Sequence, residues 1–139
     1  MVFNFHQAPS KEEFSNLVDT IPHLQDKGTN IDKAVRLAAT DAFSLEGGTR
    51  QGVPKVLVVI TKGNCANCKE KLSEAVQGLK DDGVQVVALA LGTEINRLEL
   101  LEMASVPPQR NFFAAKAHLL NPKLIQGVSE AICLGKLQD

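Results

Sequence analysis

The sequence predicts a three-layer α/β domain, with a mostly parallel sheet sandwiched between helices. Two apolar runs and the periodicity around them lead to that expectation. Lys55-Val56-Leu57-Val58-Val59-Ile60 and Val84-Gln85-Val86-Val87-Ala88-Leu89-Ala90-Leu91 are dominated by aliphatic, largely β-branched residues with almost no polar alternation. Such runs read as strands buried on both faces, which belong in parallel sheets. Helical periodicity occupies the intervals between them, and the short connections favour right-handed strand–helix–strand crossovers. At 139 residues the chain suits one domain with a substantial core. The first of these runs, expected at the sheet centre, feeds residues 61–68. In open parallel sheets the loops at the carboxyl ends of the strands are where ligands bind.

The elements follow in order. Val2-Phe3-Asn4-Phe5 reads as a short edge strand. Ser10 with Glu13 has the form of a capping box, after which Phe14, Leu17, Val18 and Ile21 fall on one helical face until Pro22. Lys27-Gly28 is a break. Thr29 can cap the next helix, with Asp32 near the positive end of its dipole and Ile31, Ala34, Val35, Ala38, Ala42 and Leu45 as its apolar stripe. Residues 46–54, rich in Gly, form a loop into the first apolar run. Leu72, Ala75, Val76 and Leu79 mark a helix spanning residues 69–79, closed by Asp81-Asp82-Gly83. Ile95, Leu98, Leu101 and Met103 line a helix over residues 94–104, broken by Pro107-Pro108. Asn111-Phe112-Phe113-Ala114-Ala115 is a strand nearer the sheet edge. Asn121 as cap and Pro122 at the first helical position start the last helix, carrying Leu124, Ile125, Val128 and Ile132.

Composition excludes several function classes. Fifteen Lys and Arg against sixteen Asp and Glu leave a net charge of -1, which gives no electrostatic case for nucleic acid or anionic membrane. No apolar run reaches the roughly 18 residues of a membrane span. With neither Trp nor Tyr, the core must be aliphatic with some Phe. Paired carboxylates, a Ser-His-Asp set and a phosphate-cradling Gly loop are all missing, so hydrolase and nucleotide readings lack their residues.

Cys65-Ala66-Asn67-Cys68 lies between the first apolar run and a helix start. Three readings are open: a local disulfide, two free thiols, or a redox pair activated by a helix dipole. The flanks lack the aromatic-Cys-Gly-Pro-Cys character of redox proteins. Two cysteines alone make no zinc site, and His6, His23 and His118 show no ligand spacing beside them.

Three blocks together resemble the von Willebrand factor A domain, the module of integrins, collagens and matrilins. They are Gly28-Thr29-Asn30-Ile31 before a helix, Val53-Pro54-Lys55-Val56-Leu57-Val58-Val59-Ile60-Thr61-Lys62-Gly63, and Gly83-Val84-Gln85-Val86-Val87-Ala88-Leu89. The resemblance runs from Phe3 to Cys133, giving a partial A domain over residues 1–133 and a tail over 134–139. It implies a Rossmann-like αβα sheet with the family's first strand, first helix and second strand absent and Phe3 at its third strand. An amino-terminally truncated domain is therefore expected, a minimal domain being the alternative. Truncation would leave an open edge on the strand of residues 55–60, with self-association as a consequence.

The resemblance also implies a magnesium site built by three loops, hard oxygen ligands suiting that ion. The first loop's Asp and two Ser have no counterpart here, Thr29 matches the second loop's Thr, and Lys62 stands where the third loop has Asp. The site is read as degenerate, so no metal or other cofactor is expected. Thr29, Lys62 and Asn64 form the candidate partner-binding face, with Lys62 either replacing the metal's charge toward an acidic partner or merely exposed. Cys133 matches a family cysteine whose partner precedes the first strand, so it is expected to be unpaired. The function implied is a non-enzymatic protein-interaction or adhesion module within a larger extracellular or cell-surface protein, with a protein partner. A thiol–disulfide redox protein and an intracellular scaffold, the latter consistent with the lack of signal-peptide character at residues 1–6, are the alternatives.

Overall fold

The computed structural model describes residues 5–7, 10–22, 29–62, 64–116 and 121–134. In chain order its elements are a 3-10 turn at Phe5–Gln7, α1 (Lys11–Asp19), α2 (Ile31–Leu37), β1 (Lys55–Thr61), α3 (Leu72–Ala75), α4 (Gln77–Asp81), β2 (Val84–Leu91), α5 (Arg97–Met103), α6 (Pro108–Asn111), β3 (Phe112–Ala115) and α7 (Pro122–Leu134). The three strands form a parallel sheet in the order β1-β2-β3. Lys55 pairs with Val84 and Thr61 with Ala90, while Ala88 pairs with Phe112 and Leu91 with Ala115.

β2 is the centre of this sheet. Val84, Val86, Val87, Ala88, Leu89 and Ala90 are all buried, and their small side chains let helices approach both faces. On one face Ile31 and Val35 of α2, Leu72 of α3, Leu79 of α4, and Leu100 and Met103 of α5 pack with Val84, Val86, Ala88 and Ala90 into one cluster. On the other face α7 lies against β2 and β3. Its Gly127 permits that approach, since a Cβ there would sit 2.9 Å from the Phe113 ring. The expected parallel αβα arrangement is what the chain adopts.

The expectation that residues 55–60 are covered on both faces at the sheet centre is corrected, whereas the open edge expected on that strand from the family resemblance is present among the described residues. β1 is an edge strand among the described residues. Leu57 and Val59 pack on the core cluster, but Val56 and Val58 on the other face are only half-buried and Ile60 is 63% exposed. An all-apolar run shows that both faces tolerate apolar side chains; it does not say which neighbours cover them.

Other differences are local. Of the expected edge strand at residues 2–5, residues 2–4 lie outside the described residues and Phe5 starts the 3-10 turn. Ser10 does cap α1: its Oγ accepts from the Glu13 N–H at 3.1 Å and donates to Glu13 Oε2 at 2.7 Å. The apolar side of α1 nevertheless stays largely outside the core, Phe14 being 50% and Ile21 43% exposed. Asn30 rather than Thr29 occupies the amino-terminal cap of α2, whose turns continue as a π-helix over Ala38–Ala42. The helix expected from residue 69 begins at Leu72 and is interrupted at Val76. In α5 the inward residues are Leu100 and Met103, and Leu98 is 66% exposed, because the helix starts at Arg97 and so presents a different face. Asn121 accepts from the Leu124 N–H at 3.0 Å, as a cap should.

Leu72 has no exposed surface and joins α2, α3 and the sheet in one cluster. Leu72→Ala removes its methyl groups and leaves a cavity, so it should destabilise the fold by about 2–5 kcal/mol. Chemical denaturation of wild type and variant measures it; a loss below about 1 kcal/mol would contradict this account of the core.

Candidate functional site

Three connections meet at the carboxyl ends of the strands: the segment entering α2, the loop leaving β1 and the loop leaving β2. Gly92, at a φ of 134°, lets the last turn close against the second loop; a Cβ there would lie 3.3 Å from the Lys62 carbonyl oxygen. Across the same junction Asn64 Oδ1 accepts the backbone N–H of Asn96. Lys62 and Asn64 are exposed and Thr29 is half-buried. The sequence-derived candidates Thr29, Lys62 and Asn64 are thus carried on adjacent connections at this end.

The closest joinery lies between the start of α2 and the Cys65–Cys68 turn. Cys65 and Cys68 form a disulfide, with Cα atoms 5.4 Å apart. Asn30 gives α2 no side-chain cap, and the exposed donors of its first turn are met from the other loop instead. The Ile31 N–H donates to Cys65 Sγ at 3.2 Å and the Asp32 N–H to Cys68 Sγ at 3.4 Å. Cys65 Sγ also lies 3.2 Å from the Thr29 carbonyl oxygen, a close contact without a hydrogen bond, since the disulfide sulfur carries no proton. The exchange is reciprocal. Asp32 Oδ2 accepts the Lys69 N–H at 2.8 Å, and one turn further along α2 the Arg36 guanidinium pairs through two nitrogens with the Glu70 carboxylate.

Asp32 is the residue that sequence reasoning undervalued. Its expected part was a favourable charge at the start of a helix. In the structure it is 3% exposed, and while Oδ2 is held by Lys69, Oδ1 has no hydrogen-bond partner. The Lys69 N–H is the main cause holding its carboxyl below the ordinary value, against the opposing effect of burial. Two letters in the sequence could have pointed to it: an Asp in the first turn of a helix whose cap position offers no obvious capping bond, and a Cys-x-x-Cys turn needing an anchor. Neither specifies that the two segments meet.

The Cys65–Cys68 turn was expected at the amino terminus of the helix that follows it. Its sulfurs instead address α2, since residues 69–71 intervene before α3 begins. Cys133 is exposed and free. Of the histidines, His6 packs its ring against Gly48, while His23 and His118 lie outside the described residues. At the opposite end of the sheet, near the start of β2, a cavity of about 760 Å³ is bordered by Lys80, Gln85, Ser105 and Asn111. There Lys80 Nζ donates to the carbonyls of Glu102 and Ala104, closing α5, and burial lowers its pKa.

Comparison with known proteins identifies the architecture. A family model described as the von Willebrand factor type A domain matches residues 1–125. The chain belongs to the von Willebrand factor A family. It is 30% identical over 111 residues to Matrilin-1 of Gallus gallus, covering 80% of this chain and 22% of that protein. It is 34% identical over 109 residues to von Willebrand factor A domain-containing protein 1 of Mus musculus, covering 78% and 25%. With Integrin alpha-2 of Bos taurus it shares 29% over 122 residues, 81% of this chain and 10% of that protein. The chain therefore spans a quarter or less of these relatives. Among solved structures, proximal thread matrix protein 1 of the mussel byssus superposes with a TM-score of 0.75 at 21% identity, covering 98% of this chain and 32% of that one. The sequence-based family resemblance and the αβα class are both borne out.

The clasp makes a titration testable. The folded-state pKa of Asp32 lies below the ordinary aspartate value of 3.8, so the unfolded chain binds the proton more readily between the two values. Its contribution is present in full above the unfolded value and is lost as pH falls through the folded one. Asp32→Asn keeps an acceptor for the Lys69 N–H but removes the charge. The variant's melting temperature should fall less steeply than wild type as pH drops below about 4; parallel acid limbs would show that the carboxylate contributes nothing there.

Proposed function

We propose that this chain is a non-enzymatic protein-interaction module of the matrix or cell-surface type, which engages a protein partner without a divalent metal. Its contact face is the end of the sheet carrying Thr29, Lys62 and Asn64. The observation behind this reading is the exposed ammonium of Lys62 among the connections at the carboxyl ends of the strands. Magnesium requires several hard oxygen donors in near-octahedral array. Here Thr29 offers one hydroxyl, the Asn64 carbonyl oxygen is already taken by the Asn96 N–H, and Lys62, at the position where the resemblance puts the third loop's Asp, brings a positive charge in place of an oxygen donor. That donor set does not fit the ion the family implies. The Lys62 ammonium suits an acidic partner residue instead, as a flexible charge with three donors.

The extracellular part of the reading is supported by the Cys65–Cys68 disulfide, a bond that persists in oxidising compartments, and by relatives named as matrilin, integrin and thread matrix proteins. The adhesion reading rests on the same relatives. Self-association is the accompanying proposal. Among the described residues β1 has one paired edge only, and with Ile60 63% exposed that strand offers unpaired backbone and apolar surface to a second copy.

Three measurements test these readings. Titration calorimetry with magnesium or manganese should show no stoichiometric micromolar site. Adhesion of the chain to surfaces coated with solubilised extracellular matrix protein should persist in chelator and fall several-fold in Lys62→Glu; adhesion abolished by chelator, or indifferent to that charge reversal, would sink the metal-free face. For the open edge, sedimentation velocity should show a concentration-dependent dimer that Ile60→Lys weakens, whereas a monomer at every concentration would refute pairing through β1.

A further inference from the structure

Cys65, Cys68 and Asp32 come together in a way that neither the family fold nor the proposed contact face requires. The two sulfurs and a carboxylate oxygen of Asp32 all lie within 4.8 Å of one another. Asp32 is 3% exposed, and its Oδ1 is buried with no partner. An orphaned buried carboxylate oxygen beside two sulfurs is a costly arrangement unless something answers it. In the oxidised chain the sulfurs are tied to each other, and only the nearby Lys33 and its backbone N–H, with no formed hydrogen bond to Oδ1, lie on that side.

We propose that the reduced chain binds a thiophilic divalent metal ion of the zinc class through Cys65 Sγ, Cys68 Sγ and the Asp32 carboxylate, so that the Cys65–Cys68 bond is the lock on a metal site. Tetrahedral zinc takes sulfur at ~2.3 Å and carboxylate oxygen at ~2.0–2.2 Å. Ligand atoms around such an ion are then roughly 3.3–3.8 Å apart, within the reach of this cluster once the sulfurs separate. Two thiolates and a carboxylate offset the ion's charge. The fourth position opens toward solvent, since both cysteines are only half-buried, and is taken by water. The side chains of Thr29, Lys62 and Asn64 have no part in it.

The neighbours of the cluster are already arranged for that state. The Ile31 and Asp32 N–H groups point at the two sulfurs, where they stabilise thiolates as well as fixing their direction. The Lys69 N–H holds Oδ2, which leaves Oδ1 as the free donor. Arg36 directs its hydrogen bonds to Glu70 and makes none to the Asp32 carboxylate, which it and Lys33 reach only through their charge. Loading proceeds in two balanced steps. A phosphine reductant and one water convert the disulfide to two thiols, the phosphorus taking the oxygen as phosphine oxide. The metal then displaces both thiol protons to solution as the two metal–sulfur bonds form.

The test uses the full chain carrying Cys133→Ser, so that the third thiol cannot contribute, with cobalt(II) as the spectroscopic probe and zinc as competitor. After phosphine reduction, one cobalt per chain should bind, with thiolate-to-metal charge-transfer absorption and the visible bands of a tetrahedral site, and zinc should displace it. The oxidised chain should bind none. Asp32→Asn should weaken binding at least about 10-fold, and Asp32→Cys should raise the charge-transfer intensity by about half as a third thiolate joins. That gain of signal also guards against a variant lost to misfolding, which circular dichroism of each reduced chain checks directly. Equal binding by oxidised chain, no sulfur–cobalt absorption after reduction, unchanged affinity in Asp32→Asn, or one metal per two chains would each overturn the assignment. A metal-independent adhesion face at Lys62 stands or falls separately, because its measurements use the oxidised chain.

Discussion

The reciprocal clasp between the start of α2 and the Cys65–Cys68 turn is the constraint on which this end of the molecule depends. A helix that begins without a capping side chain leaves backbone donors to be satisfied elsewhere. Here the sulfurs of Cys65 and Cys68 meet two of them, and Asp32 returns a bond to Lys69. The partners are more than thirty residues apart in sequence, so the clasp fixes one connection against another rather than shaping a single loop. With Ile31 and Val35 anchored in the core immediately behind it, α2 is held along its flank by packing and at its tip by polar bonds.

That arrangement brings the connections carrying Thr29, Lys62 and Asn64 to the same end of the sheet. Thr29 precedes the clasp on one strand of chain, and Lys62 and Asn64 lie between β1 and the disulfide on the other. Asn64 then ties the second connection to the third through Asn96. Hydrophobic burial positions the sheet and helices, but it cannot specify loop geometry to hydrogen-bond precision; the polar bonds do that. The Arg36–Glu70 pair, with Arg36 well exposed, adds orientation more than energy.

Much of the fold was legible in the sequence because its signals are local or periodic. The two aliphatic runs gave β1 and β2, Asn121-Pro122 gave the start of α7, and the Ser10–Glu13 spacing gave the cap of α1. What escaped was the identity of neighbours. The evenly apolar run of residues 55–60 looks the same whether one face or two are covered, so its half-covered outer face became visible only in three dimensions, while its open edge was anticipated by the family resemblance alone. The face of α5 was misjudged for a related reason: Ile95 lies before the helix that begins at Arg97, so its spacing to Leu98 did not mark a helical face, and packing on the sheet selected Leu100 and Met103 instead. At the candidate site the cysteines stood out by their spacing, whereas the meeting of Asp32 with them depends on two crossovers and could not be read from either segment alone.

The clasp also has a temporal meaning. Its bonds span about 36 residues, while the cross-link inside the turn spans three. Closing so small a ring removes little freedom from the unfolded chain, about 2 kcal/mol by the loop-entropy relation. The disulfide can therefore form before the domain does, but the sulfurs find the α2 amides only after β1 has docked beside β2. The bonds from the Ile31 and Asp32 amides to the sulfurs therefore belong to the folded domain and not to the local ring, and amide exchange at those two positions reads the domain's opening.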